Sequence, residues 1–218
     1  MESEELTIQE LKEIYKKIEP IIRERTREFQ KIWDSGEDSR LFEELVFCLF
    51  TPQSKAQVCW ETVLELKEED ALMDAEREEL AEKIKRVRFR NNKAGYLVEA
   101  RDKFMDPNGC TLRDRLDDLN DQKEARRWLV KNVKGLGYKE ASHFLRNIGK
   151  GDDLAILDRH ILKNLKRLGV IDDIPKSLAV KRYLAIEERM SDFSEEVGIP
   201  LGHLDLVLWY METGEVFK

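Results

Sequence analysis

Apolar residues recur at helical spacing along nearly the whole chain, and the period-2 alternation that a half-buried strand requires is missing. Over residues 6–33, Leu11, Ile14, Ile18, Ile21 and Ile22 share one helical face. Pro20 is placed to bend or divide that helix, and Ser35-Gly36 ends it. Residues 41–49 are apolar enough to be the central helix of a core. Thr51-Pro52 breaks this run, and Ser54 is placed to cap a new helix reaching about Leu66. Further helices are expected over 76–87, 91–104, 123–132, 139–148, 157–168, 177–196 and 200–211. The pattern predicts an all-α fold. Asp106-Pro107-Asn108-Gly109 is the clearest punctuation in the chain and marks a lobe boundary. A middle lobe over 105–173 would then face a lobe formed by 1–104 with 174–218. The cleft between them is the kind of place where a ligand sits.

The 218 residues suffice for a full hydrophobic core. Charged residues make up 38% of them, in both signs, which points to a charge-dense surface rather than disorder. No apolar run approaches the roughly 20 residues needed to span a bilayer. Met1-Glu2-Ser3-Glu4-Glu5 lacks the basic-then-apolar form of a signal peptide, so an intracellular location is expected. Cys48, Cys59 and Cys110 are too few and too scattered for a disulfide framework or a four-cysteine metal site. Cys48, inside an apolar run, reads as a buried, inert thiol. The net charge is −7, yet residues 123–167 carry 12 Lys and Arg against five acids. Residues 83–93 add six basic residues and no acid. This is a basic face on an acidic body, and the face decides whether nucleic acid binds.

The segment Asn132-Val133-Lys134-Gly135-Leu136-Gly137-Tyr138-Lys139-Glu140 joins two expected helices through a Gly-x-Gly turn. Gly135 and Gly137 permit positive φ and close backbone approach. The helix that follows offers unpaired N–H groups at its N-terminus, a ready site for a phosphate. Lys134 and Lys139 flank the turn, as phosphate binding favours. Asp158, in Leu157-Asp158-Arg159-His160, by itself reads equally well as a helix N-cap. The run 83–93 is a solvated face in which Arg88 and Arg90 suit phosphate contacts. Gln53 either approaches DNA or finishes a turn. His143 and His160 read as structural or phosphate-contacting residues.

The hairpin, a Lys two residues after its second Gly and an Asp 19 residues further on resemble the helix-hairpin-helix DNA glycosylases. That resemblance implies that Lys139 is the nucleophile and Asp158 the catalytic acid residue of a bifunctional enzyme. The chemistry suits the pair. Breaking an N-glycosidic bond builds positive charge on the sugar, which a carboxylate stabilises. A deprotonated Lys can attack C1′ and form a Schiff base, whose β-elimination nicks the strand. A monofunctional enzyme would activate water and have no need of the Lys. Endonuclease III-like relatives commonly carry four closely spaced cysteines for an iron–sulfur cluster after the catalytic region, and this chain has no cysteine after Cys110.

Two further segments, Phe47-Cys48-Leu49-Phe50-Thr51-Pro52-Gln53-Ser54-Lys55-Ala56 and Val87-Arg88-Phe89-Arg90-Asn91-Asn92-Lys93-Ala94, narrow the resemblance. With the compact length they resemble the archaeal-type 8-oxoguanine DNA glycosylase/lyases, essentially end to end. The resemblance implies that the damaged guanine is flipped into the interlobe pocket. There Lys218, with a terminal carboxylate, contacts the base and Trp209 helps to sandwich it, although Trp209 in its apolar setting also reads as core. Phe89 is a wall of the pocket and Asp205 a further pocket residue. Gly135, Gly137, Lys134, Arg88 and Gln53 would meet the DNA backbone. An acceptor aimed at N7–H of 8-oxoguanine would reject guanine, whose N7 is itself an acceptor. A monomer acting in a prokaryotic cytoplasm on double-stranded DNA is implied, with no organic cofactor and no catalytic metal. The hairpin carbonyls are a candidate site for a monovalent cation. Two alternatives stay open: a non-catalytic hairpin module that binds DNA, and a glycosylase for another damaged base.

Overall fold

The computed structural model describes residues 6–105, 111–119 and 121–218. The lobe boundary read at 106–109, Cys110 and the acidic start of the chain lie outside the described residues. Among these there are twelve helices and no strand. In order they are α1 (Ile8–Asp34), α2 (Asp38–Phe50), α3 (Ala56–Glu68), α4 (Ala71–Asp74), α5 (Arg77–Lys83), α6 (Arg90–Phe104), α7 (Leu112–Asp117), α8 (Gln122–Asn132), α9 (Tyr138–Asn147), α10 (Arg159–Arg167), α11 (Val180–Val197) and α12 (Leu201–Thr213). The expected helices all form. The short α4 and α7 were not foreseen, because one or two turns are too few to establish a period.

Helix α1 opens on a capping box in which Thr7 Oγ1 accepts from the Glu10 N–H and the Glu10 carboxylate accepts from the Thr7 N–H. It runs unbroken through Pro20, which is exposed, so the carbonyl deprived of its donor can be hydrated. Leu11, Ile18, Ile22 and Phe29 form its buried stripe. Ile21 is 55% exposed instead: successive helical residues point about 100° apart, so it cannot share the stripe with Ile22.

Helix α2 is the centre of the molecule, with every residue from Leu41 to Phe50 buried. Burial there includes two glutamates, and both are paired. Glu43 meets Arg40 and Lys67 at 2.6 and 2.7 Å. Glu44 accepts from Asn147 Nδ2 at 3.1 Å and pairs with the Lys218 ammonium. Ser54 does not cap α3. Lys55 holds that position without a side-chain bond, and Ser54 Oγ accepts from the Arg88 N–H at 3.0 Å, joining the loop after α2 to the start of α6.

The buried apolar residues fall into two clusters. One gathers α2 to α9 and ends at Leu154. The other gathers most of the α1 stripe with α10, α11 and α12, starting again at Ala155. Along the chain, the buried apolar residues pass from the first cluster to the second between Leu154 and Ala155. No helix of the described residues is long and apolar enough to cross a membrane.

Helices α8 and α9 form the hairpin, joined by Val133 to Gly137. Gly135 has φ +95°, whereas Gly137 is extended, so one glycine and not both uses the positive-φ region. A Cβ on Gly135 would also fall 2.4 Å from Cδ2 of Tyr96 on α6. We expect Gly135→Ala to lower the urea midpoint by more than Gly36→Ala, whose glycine has φ +75° with nothing within 4 Å of a Cβ. Gly36→Ala should cost about 1–2 kcal/mol in backbone strain alone. The difference between the two variants measures the Tyr96 contact, and equal losses would mean the ring yields freely.

Candidate active site

A cleft of about 760 Å3 opens where α9, the start of α10, α12, the 51–55 loop with the start of α3, and the C-terminal segment meet. Lys139, Asp158, Asp205, Trp209 and Lys218 all line it, as do Gln53 and Arg88. Residues far apart in sequence are thus brought into one concavity, the usual form of a small-molecule site.

Lys139 is the second residue of α9, its side chain 24% exposed and its Nζ 3.2 Å from Glu140 Oε1. The other Glu140 oxygen accepts from the Gly137 N–H at 3.2 Å. Glu140 therefore closes one of the free donors at the helix start and holds the lysine's charge at the same time. Sequence reasoning counted Glu140 merely as an acid; the S/T-x-x-E spacing that reveals such caps is hidden here because the capped residue is a glycine.

Asp158 is the N-cap of α10, and its Oδ1 accepts from the N–H groups of His160 and Ile161, both at 2.8 Å. The capping interpretation is correct, yet it leaves Oδ2 outside both bonds, and the residue lines the cleft. A cap is a means of fixing a carboxylate, and a fixed carboxylate is what charge stabilisation needs.

The floor is a buried polar network. Arg146 Nη1 donates to Asp205 Oδ2 at 2.5 Å, Arg146 Nη2 to Asn147 Oδ1 at 3.2 Å, and Asn147 in turn to Glu44. Lys218 completes the chain at Glu44, with its ammonium 3.6 Å from the centre of the Trp60 ring. Burial pushes the Asp205 carboxyl up to about 6 against the opposing pull of Arg146, and the charges of Asp158 and Lys139 also reach it. Burial likewise lowers Lys218, with Glu44 opposing. His143, enclosed beside Phe47, is held well below the usual histidine range by burial first and by the cations Arg146 and Lys139 next. Its ring is neutral. His160 stands edge-on to Trp209, with centroids 5.2 Å apart.

The remaining sequence candidates lie outside the cleft lining. Phe89 is 55% exposed at the N-cap of α6, with φ +60° and the Arg88 guanidinium 5.9 Å from its ring. Lys134 is a surface residue paired with Glu99 at 2.6 Å, and Gly135 and Gly137 are in the turn. The basic run 83–93 is less available than its composition suggests. Lys83, Arg86 and Arg90 are paired with glutamates. Lys93 is buried and donates to the carbonyls of Phe50 and Pro52, both at 2.7 Å, and to Ser54 Oγ. It caps the end of α2 and ties down the loop that carries Gln53. Among the described residues no group of three or more His, Cys, Asp or Glu is placed to hold a metal ion.

A hairpin next to a cleft that holds a lysine and a capping aspartate is the plan of a helix-hairpin-helix DNA glycosylase, and comparison with known proteins agrees. The 8-oxoguanine DNA glycosylase family model matches residues 22–199. The 8-oxoguanine DNA glycosylase/AP lyase of Fusobacterium nucleatum is 49% identical over 209 residues, which is 96% of each chain. That of Methanocaldococcus jannaschii is 42% identical over 215 residues, 97% of each. The crystal structure of the M. jannaschii enzyme with a 15mer DNA containing 8-oxoguanine superposes with a TM-score of 0.88 at 40% identity, covering 97% of this chain and 99% of that one. The Thermotoga maritima 8-oxoguanine DNA glycosylase gives 0.86 at 37% identity, over 97% and 98% of the two chains. The chain belongs to the 8-oxoguanine DNA glycosylase family.

Burial pulls the Lys93 ammonium down to about 8. An unfolded lysine holds its proton to about 10.4, so folding is penalised below pH 8 and the penalty is relieved as pH rises from about 8 to about 10.4. Lys93→Met should lower Tm at pH 7 by removing the donor shared by the Phe50 and Pro52 carbonyls. The Tm gap between wild type and variant should then widen with pH across that window. A gap that is constant from pH 7 to 10 would contradict the assignment.

Proposed function

We propose that this protein excises 8-oxoguanine from double-stranded DNA and then cleaves the strand at the abasic site, with Lys139 as nucleophile and Asp158 as its carboxylate partner. The observation that carries this reading is the lining of the cleft: an amine on the first turn of the hairpin's second helix and a capped carboxylate share it with Trp209. Its 760 Å3 accommodates a purine base with part of its sugar. Flipping the nucleotide costs a few kcal/mol of stacking and pairing, least where the base is damaged.

In the reaction Lys139 loses a proton, and Nζ attacks C1′ as the bond to the base nitrogen breaks. The base leaves with the bonding pair and takes a proton. Asp158 Oδ2, uninvolved in the cap, stabilises the positive charge that builds on the sugar. Opening of the sugar ring gives the Schiff base, and loss of a C2′ proton expels the 3′-phosphate. Trp209 is suited to stack on the flipped base, and the neutral His143 and the Asp205–Arg146 pair offer it polar edges. The side chain of Lys218 is committed to Glu44, so contact with the base falls to its main-chain atoms. To meet a phosphate, Lys134 needs to give up a surface ion pair with Glu99 and a contact with the Tyr96 ring, a small cost. Gln53 lines the cleft, and the exposed Phe89 follows Arg88, which lines it too, so both suit contact with the strand. The enzyme acts as a monomer inside the cell, where its substrate is.

Borohydride trapping tests the reading on a duplex with one 8-oxoguanine opposite cytosine. Wild type should give a covalent adduct on damaged DNA and none on an undamaged control, and Lys139→Gln should give none while still binding. Asp158→Asn should slow excision by about 100-fold or more with binding retained. Normal excision by either variant would overturn the roles, and an adduct with another damaged base alone would overturn the substrate.

A further inference from the structure

Between α9 and α10 the chain runs without helix from Gly151 to Asp158, and much of it is buried. Buried peptide groups need partners, and here side chains of α11 supply them. Glu187 Oε2 accepts from the Ala155 N–H at 3.0 Å. The Tyr183 hydroxyl donates to the Ala155 carbonyl at 2.6 Å and accepts from the Leu157 N–H at 3.3 Å. Asp158 is the next residue. On its other side Glu187 is gripped in two bonds by Arg126 of α8, at 2.5 and 2.7 Å. Arg126 also donates to Ser142 Oγ at 3.1 Å, and its guanidinium lies 4.9 Å from the centre of the Tyr138 ring. Tyr138 and Ser142 flank Lys139 on α9.

We infer that the Arg126–Glu187 pair and the Tyr183 hydroxyl form a positioning device that sets Asp158 against Lys139. The inference rests on the glycosylase reading. One end of a single fully buried ion pair holds the helix of the lysine, and the other end holds the chain that delivers the aspartate. Helix α11 contributes no residue to the cleft lining among the described residues, so these groups act through others and touch no substrate. Burial alone does not explain them. A buried ion pair can often be replaced by apolar residues without loss of stability, whereas directed bonds to three particular peptide groups fix a position. Displacing a reacting group by about 1 Å can cost about 100-fold in rate.

The test uses the full chain and the 8-oxoguanine duplex. Tyr183→Phe keeps the ring and deletes the hydroxyl; Ser142→Ala cuts the arm that reaches the lysine's helix and serves if the first variant folds poorly. The single-turnover excision rate at saturating enzyme, the half-saturating concentration and Tm are measured together. Leu72→Ala, in the first core cluster, is the control for lost stability. We expect the plateau rate to fall at least about tenfold in Tyr183→Phe and less steeply in Ser142→Ala. Half-saturation should stay within about twofold, and Leu72→Ala should keep the wild-type plateau below its own Tm. A wild-type plateau in both variants, or an equal fall in Leu72→Ala, would overturn the inference. Absence of excision by the wild-type chain would show instead that the glycosylase reading had failed, and the inference with it.

Discussion

Helix α9 is buried without a break from Ala141 to Asn147, packed against α1, α2 and α8. A helix enclosed on that scale takes its polar side chains out of water, and burial without a partner costs free energy. Ser142, Arg146 and Asn147 therefore reach for partners on other helices: Arg126 on α8, Asp205 on α12 and Glu44 on α2. Those bonds fix the helix in rotation and along its axis. Lys139, on the first turn of the same helix, is placed by bonds made at its middle and far end. The polar floor of the cleft and the location of its amine are two results of one packing constraint.

The electrostatics follow from the same enclosure. The net charge is a poor guide to a DNA partner, because many of the glutamates are engaged by nearby cations and those cations are taken up with them. Glu140, Glu43 and Glu44 are examples in or near the core, and Glu61 and Glu82, paired with Arg86 and Arg90, are examples on the surface. The reverse also holds. Arg126 and Arg146 count toward the basic stretch of residues 123–167, yet both are interior. Counting charges along a sequence therefore misjudges the field a nucleic acid would meet, in both directions.

The helical class, the bounds of the longer helices and the hairpin were legible in the sequence, because each rests on local rules of periodicity and turn chemistry. The meeting of Lys139 with Asp158 in one cleft was legible through the spacing that carries the family resemblance. The supporting groups were not. Glu44 and Lys218 are 174 residues apart and Arg126 and Glu187 are 61 apart, and nothing local distinguishes them from solvated charges. Lys93 belongs to a basic run that resembles a solvated face, whereas its position on α6 points it at the end of α2. Pro20 looked like a break because a proline's cost depends on which way the freed carbonyl faces, and one-dimensional reading does not supply that direction.

Gln53 and Phe89 are two non-glycine residues in the left-handed region, at φ +57° and +60°, on the two segments that Ser54 joins. Each such residue stores about 1–2 kcal/mol, held in place by the Lys93 staple and the Ser54–Arg88 bond. Replacing either by glycine would release that energy without disturbing the core. Selection for heat tolerance alone would thus be rewarded for glycine at both positions, while any requirement placed on their side chains would oppose it. The tension at these two positions would make their identity a record of which pressure a given lineage has faced.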